Sequence, residues 1–232
     1  MRRIAFAAAA LLTFMALVAL GTWQVERRAW KLDLMARVDA RVHAAAVEAP
    51  GAAQPVSKDD EYRHVRVAGN FLHERETLVQ AVTDLGSGFW VLTPLRRPDG
   101  SIVLVNRGFV PPQARDPATR IANAPQGTTV VAGLLRLTEP GGGFLRENDP
   151  AGERWFSRDV QAIAAARGLA PVAGYFIDAQ AAPAGTPRAW PVGGLTVIAF
   201  HNNHLVYALT WYALALMVAG AAVYVLRGNR AR

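Results

Sequence analysis

The residues with most chemistry to offer open the last apolar run of the chain, in Phe200-His201-Asn202-Asn203-His204-Leu205-Val206-Tyr207-Ala208-Leu209-Thr210-Trp211-Tyr212. Asn202 or Asn203 is a natural helix N-cap, since its side-chain oxygen can accept from the free N–H groups of the first turn. On the helix that follows, His204, Tyr207 and Trp211 stand at i, i+3 and i+7 and share a face. A His in the first turn feels the positive end of the helix dipole, which favours the neutral imidazole that metal ligation requires. Spacing leaves three readings open. The cluster can be an interfacial anchor, because His and aromatics suit the headgroup region. It can be a metal site of His201 and His204, although that pair supplies only two ligands and no Cys exists to complete it. Or His204 can be an axial ligand to haem iron, with Tyr207 and Trp211 walling the macrocycle.

A counterpart lies at the exit of the first apolar run. Trp23, Arg27 and Trp30 share a face at i, i+4 and i+7, and Arg27, Arg28 or Lys31 can pair with propionate carboxylates. Interfacial snorkelling of these long cations is the competing explanation.

Elsewhere catalytic signatures are scarce. There is no Gly-x-Ser-x-Gly elbow, no His-Glu-x-x-His and no dinucleotide fingerprint. His43, His64 and His73 are isolated. Asp59-Asp60-Glu61 reads as a solvated charge run rather than a cation site. Asn106-Arg107-Gly108 ends an apolar strand, where Gly supplies a bulge or turn; an anion held by Arg107 is the sharper alternative. Gly141-Gly142-Gly143 is a turn rather than a phosphate loop, because no Gly-Lys-Ser/Thr follows it. The absence of Cys excludes disulfides, iron–sulfur clusters, thiolate zinc sites, a Cys nucleophile and covalent c-type haem attachment.

The elements that must position these groups begin with two membrane spans. Ile4–Trp23 carries no charge over 20 residues and Ala208–Leu226 none over 19, each long enough as a helix for a hydrocarbon core of roughly 30 Å. The first run is longer than a signal-peptide core and lacks a clear Ala-x-Ala, so it reads as an uncleaved signal anchor. The net charge of +7 does not mark a nucleic-acid binder. Between Gln24 and His204 lie 20 basic and all 18 acidic residues, while Arg2, Arg3, Arg227, Arg230 and Arg232 flank the spans. Basic ends place both termini in the cytoplasm and the intervening region outside it; Arg27, Arg28 and Lys31 point the other way, but long loops translocate largely regardless of charge. No Arg- and Ser-rich leader precedes the first span, so a bacterial inner membrane with a periplasmic central domain is expected.

Between the spans, a helical pattern runs from Gln24 to about Ala46, then a Pro- and Ala-rich acidic linker to Asp60. Short strand patterns follow: Tyr62–Ala68, Thr77–Val82, Phe89–Leu95, Ile102–Val105, Thr129–Leu137, Tyr175–Asp178 and Leu195–Phe200. Pro98-Asp99-Gly100 marks the best hairpin. Arg158–Arg167 is one helix, with Val160, Ile163 and Ala164 on a face and Gly168 as its stop. The expected architecture is a membrane protein with transmembrane helices at 4–23 and 204–226. They flank a juxtamembrane helix and linker (24–60), a mostly antiparallel, barrel-like α+β extracytoplasmic domain (61–203) and a basic cytoplasmic tail (227–232).

The signatures Gly21-Thr22-Trp23-Gln24 with Arg27, Arg28, Trp30 and Lys31; Tyr62–Val67 into Gly69-Asn70-Phe71; Gly88–Leu95; Val103–Pro111; Asn148-Asp149-Pro150 with Trp155; Tyr175–Asp178; and above all Asn202-Asn203-His204-Leu205-x-Tyr207-Ala208-x-Thr210-Trp211-Tyr212 resemble, in order, those of the Surfeit locus protein 1 family, called Shy-type in yeast. Phe109 departs from a usual Trp but stays aromatic. The resemblance implies a non-enzymatic assembly factor for haem–copper terminal oxidases (cytochrome c oxidase), maturing the haem a sites of subunit I. It implies transiently bound haem a, with His204 as iron ligand. Joined to the spacing above, that makes Tyr207 and Trp211 the expected pocket walls, and Trp23 with Arg27 the expected opposing wall and propionate partner. Subunit I, haem a synthase and the lipid bilayer are the implied partners. At the bilayer boundary the farnesyl tail of haem a would stay in lipid and its propionates near Arg and water. The alternative is a cofactor-free scaffold that stabilises subunit I, with His204 as an anchor.

Overall fold

A computed structural model describes residues 1–187, 189–198 and 202–228. The chain divides into two compact units: residues 1–39 with 198–232, and residues 40–197.

The first unit is helical. α1 runs unbroken over Arg2–His43, so the apolar span and the charged segment after it are one 42-residue helix. Nothing after Gly21 interrupts it: Gln, Glu, Arg, Leu, Met and Ala are all good helix formers, and Asp33 and Arg37 add an i,i+4 ion pair at 2.6 Å. α3 covers His204–Gly228, starting directly after the Asn202-Asn203 pair expected to cap it. Tyr207 N–H donates to the Asn203 carbonyl at 3.2 Å. Both helices are long and apolar enough to cross a membrane. Residues 229–232 of the expected basic tail lie outside the described residues.

The second unit is a barrel-like sheet. Its strands are β1 Val47–Glu48, β2 His64–Phe71, β3 Thr77–Thr83, β4 Gly86–Arg96, β5 Ile102–Val110, β6 Thr128–Leu137 and β7 Val172–Ala179. The order is β1-β2-β6-β7-β5-β4-β3, and β4 returns to β2 through Asn70↔Arg96 and Phe71↔Leu95, so β2, β6, β7, β5 and β4 form a closed ring. Closure of the ring leaves β1 and β3, which lie outside it, as the edge strands of the sheet. Pairing is antiparallel except for β5 with β7 and β1 with β2.

Period-two alternation sorts the strands' residues. Val65, Val67, Leu95, Val103, Val105, Val131, Leu135, Tyr175 and Ile177 fill the interior. On the outer side, Leu92, Leu104 and Phe176 pack with Trp155 and with Val160, Ile163 and Ala164 of α2 (Val160–Arg167). Asp159 caps α2 by accepting from Ala162 N–H at 3.1 Å, worth about 1 kcal/mol. Gly168 ends it in the left-handed conformation, which costs Gly little.

The Pro98-Asp99-Gly100 turn joins β4 and β5 as an antiparallel pair. Two of its partners, Leu92↔Asn106 and Trp90↔Phe109, leave Val91 opposite both Arg107 and Gly108, a β-bulge. Gly108 has φ +128, and a Cβ there would stand 2.1 Å from the Val192 carbonyl oxygen, so the bulge requires Gly. The strand expected at Leu195–Phe200 does not form: residues 195–198 are irregular, and residues 199–200 lie outside the described residues. β5 and β7 pair with each other as far as Asn106↔Asp178, and the side of β5 left open beyond it, at Phe109, is not used by residues 195–198. Instead Val192 exchanges two 2.9 Å backbone bonds with Phe109, and Gly194 N–H donates to the Ala179 carbonyl.

Candidate functional site

In the helical unit, one small cluster ties α1 to α3. His204 Nδ1 lies 2.7 Å from Gln24 Oε1. With the Gln24 amide oxygen as the facing atom, the contact is a hydrogen bond if Nδ1 carries the proton, and Nε2 is then the ring nitrogen with a lone pair. Farther along α3, the Tyr212 hydroxyl and Thr22 Oγ1 are 3.1 Å apart, and the Tyr212 ring lies directly over Gly21. Ala208 and Ala215, on the same face of α3 as His204, are buried. Small residues at such a contact let helices approach without a polar penalty in lipid.

The other expected site residues distribute around this cluster. Tyr207 and Trp23 are each 54% exposed, and Trp211 is half-buried. Arg27 is exposed, with its guanidinium 4.0 Å above the Trp30 ring, a cation–π contact. Thus Gln24, one position beyond Trp23, is the α1 residue that meets His204. His201 lies outside the described residues. An imidazole held through Nδ1 suits haem ligation, because the acceptor behind it fixes the orientation and basicity of the ring. Among the described residues no cluster of three His, Asp or Glu side chains suits a bare metal ion.

In the barrel unit, a polar network sits on the outer face of β5, β6 and β7. Asp178, only 4% exposed, accepts from Asn106 Nδ2 (2.7 Å) and Arg158 Nη1 (3.1 Å) on one oxygen. Its other oxygen accepts from Arg136 Nη1 (3.1 Å) and Thr196 Oγ1 (2.9 Å). Arg158 also donates from Nη2 to Glu139 (2.5 Å), and Arg136 to Glu61 (3.3 Å). Burial would raise the Glu139 carboxyl pKa, but the Arg158 hydrogen bond and the charges of Arg158 and Arg136 outweigh it and hold it below the ordinary value. Burial likewise works against the Arg158 cation, and Glu139 with Asp178 overcomes it, raising its pKa. Asn106, Arg136, Arg158, Asp178 and Thr196 line a cavity of about 190 Å³ with Trp90. Every lone pair of Asp178 is engaged, so the network acts as a clasp that holds residues 194–197 against the barrel.

Arg107 is half-buried, its guanidinium 5.4 Å from the Phe71 ring. Burial pushes its pKa down, Glu76 opposes this and Arg120 adds to it. Asp60 of the acidic run accepts from Ser57 N–H and Arg63, while Glu61 joins the Arg136 network, so these carboxylates serve local structure. Neither residue type nor spacing marks Gln24 or Asp178 as a chemical group in the sequence. The available signals were the presence of Gln24 in the Gly21–Gln24 signature and a carboxylate closing the apolar run Tyr175-Phe176-Ile177.

Fold and site together define a membrane protein with two apolar terminal helices, joined at a His–Gln contact, and a central β-barrel-like domain. The model of the SURF1 family matches residues 11–216. Surfeit locus protein 1 of Mus musculus is 41% identical over 215 residues, covering 84% of this chain and 67% of its own length. The Homo sapiens protein of the same name is 40% identical over 214 residues, covering 84% and 69%. A SURF1-like protein of Monosiga brevicollis is 36% identical over 229 residues, covering 91% and 84%. The chain belongs to the SURF1 family.

Proposed function

We propose that this chain is a non-enzymatic assembly factor for a haem–copper terminal oxidase that holds haem a at the His204 end of α3 and assists its insertion into subunit I. The observation that supports this reading is the 2.7 Å contact between His204 Nδ1 and Gln24 Oε1, which with Nδ1 as donor would leave Nε2 available to iron. Family membership supports the oxidase-assembly role. Bound there, haem a would supply a redox-active iron with an axial position for the imidazole. The chain's own residues do the rest: Gln24 orients the ring, Tyr207 and Trp211 offer aromatic walls, Trp23 lies beside Gln24 on α1, and Arg27 offers a cation to propionates.

The expected setting is a bacterial inner membrane, with both termini cytoplasmic and the barrel periplasmic. The chain has no Cys, so single cysteines report this directly. Asp84→Cys, in the exposed β3–β4 turn, should react with an impermeant maleimide in intact spheroplasts, and Ala231→Cys only after permeabilisation.

The test of the carrier reading is purification from cells that make haem a, with reduced and oxidised spectra of wild type beside His204→Ala. Wild type is expected to carry haem a and the variant to lose it. Wild type without haem a would leave the second reading, a cofactor-free scaffold for subunit I. One observation favours that rival: Val82 and Phe144, 83 and 91% exposed, line one open cleft with Phe89 and Phe156, an apolar surface suited to a protein partner.

A further inference from the structure

We infer that Gln24 is a positioning residue for His204: its side-chain oxygen holds the imidazole in the Nδ1–H tautomer and thereby assigns Nε2 to iron. The inference deepens the haem-carrier reading and rests on it, but part of it concerns the protein without haem.

The argument starts from what the two groups can do. A neutral imidazole has one donor and one acceptor nitrogen, and the partner of one nitrogen decides the role of the other. At 2.7 Å the His204–Gln24 contact is at the short end of the N–H···O range. Gln24 is half-buried on α1, in the contact that also includes Gly21 and Thr22, so its backbone position is set by helix contacts rather than by a mobile loop. Tyr212 packs on Gly21 and approaches Thr22, which fixes the register of the two helices within about one turn of Gln24. A hydrogen-bond acceptor behind a ligating His typically contributes 10- to 100-fold to metal affinity, by fixing the ring and raising its basicity. A charged acceptor would raise basicity further.

Two measurements decide the matter. The first needs no haem. In full-length protein labelled with ¹⁵N-histidine and held in detergent micelles, the His204 ring should report a protonated Nδ1 and a bare Nε2. Gln24→Ala should relax the ring to a mixture of both tautomers. A wild-type ring with a bare Nδ1 would mean that the Gln24 amide donates rather than accepts, and the inference falls. The second is titration with extracted haem a, read as affinity and as midpoint potential. Gln24→Ala should bind about 10-fold more weakly. Gln24→Glu should restore affinity and move the midpoint potential below that of wild type, because a carboxylate acceptor makes the imidazole a stronger donor to ferric iron. Merely structural damage would not produce that downward shift. Wild-type affinity and potential in both Gln24 variants, with haem lost in His204→Ala, overturns the positioning role and leaves the carrier reading intact. Failure of wild type to bind haem a overturns the carrier reading, while the tautomer measurement still decides what Gln24 does.

Discussion

The aromatic ring of Tyr212 sits so close to the backbone of Gly21 that a Cβ at position 21 would lie 2.7 Å from its Cε1 and 2.9 Å from Cδ1 and Cζ. Between two apolar helices, where lipid competes equally for apolar surface, such close approach and a hydroxyl pair are the main sources of association. The same contact sets the depth at which Gln24 meets His204.

Gly21→Val should therefore drive α3 away from α1. Overpacking costs of roughly 1–3 kcal/mol are expected at such a site, and the Thr22–Tyr212 and Gln24–His204 bonds should be lost together. Trp23 and Trp211 fluorescence in detergent would change, and extracted haem a should bind at least several-fold more weakly. Tyr212→Phe keeps the ring and loses only the hydroxyl pair, so its effect should stay within about 1 kcal/mol. A Gly21→Val protein with wild-type fluorescence and haem affinity would contradict the contact.

Asp178 is the anion on which two arginines of low exposure converge: the Arg136 and Arg158 side chains are 13% and 14% exposed. Asp178→Asn keeps the shape and removes the charge, leaving Arg136 and Arg158 with only Glu61 and Glu139 as anions. Breaking a buried pair from one side costs about 3–5 kcal/mol. At roughly 2–4 °C per kcal/mol for a unit of this size, the thermal midpoint of the sheet signal in circular dichroism should fall by about 10 °C. Thr196→Val removes one hydroxyl donor and should cost about 1 kcal/mol. A midpoint within 2 °C of wild type for Asp178→Asn would show the clasp to be energetically idle.

How much of this was readable beforehand differs by element. The spans, the Pro98–Gly100 hairpin, the Gly108 bulge and the face of α2 follow from local rules of length, turn chemistry and periodicity, and these features match the structure. Leu195–Phe200 has a strand's composition, but strand formation also needs an open edge, and the side of β5 left open beyond Asn106 is taken by Val192 at Phe109. The clasp was hidden for a different reason. Asn106, Arg136, Arg158, Asp178 and Thr196 come from five segments, and only the register of β5, β6 and β7 brings them together. His204 stood out through residue type, whereas Gln24 is a polar residue on a helical face until its partner is placed opposite. β1, two residues in a parallel pairing, carries no periodic signal at all.

Acid should loosen the barrel unit through its paired carboxylates. Burial pushes Glu139 up, yet the Arg158 bond and the two arginine charges leave its folded pKa below the unfolded value. The unfolded state then binds more protons, so this group stabilises fully above the ordinary Glu value of about 4.3 and loses that contribution as pH falls through the depressed folded value. Asp60, held down first by the Ser57 N–H, and Glu153, by its Arg167 hydrogen bonds, have the same sign. Thermal midpoints should be level from pH 7 to about 5 and fall below about pH 4. Glu139→Gln should have a lower midpoint at neutral pH and a shallower acid decline. An unchanged acid slope in that variant would remove Glu139 from the account.

Alkali should act on the barrel interior through Tyr175. Its hydroxyl, fully enclosed, donates to the Pro50 carbonyl at 2.7 Å, and Arg97 Nη1 donates to the same oxygen at 2.6 Å. Burial disfavours the phenolate and Arg97 offsets this only in part, so the pKa is pushed up to about 12 from an ordinary 10.0. A proton retained in the folded state and lost in the unfolded one gives the opposite slope to that of the acids. The contribution is whole below about pH 10 and drains away as pH rises toward 12, to a total of about 3 kcal/mol. Tyr175→Phe forfeits the Pro50 bond, about 1 kcal/mol at neutral pH, and should then show a flatter midpoint between pH 10 and 12 than wild type. The two proteins' denaturant midpoints should therefore converge or cross in that window. If they keep a constant separation to pH 12, Tyr175 ionises as readily inside the barrel as in water.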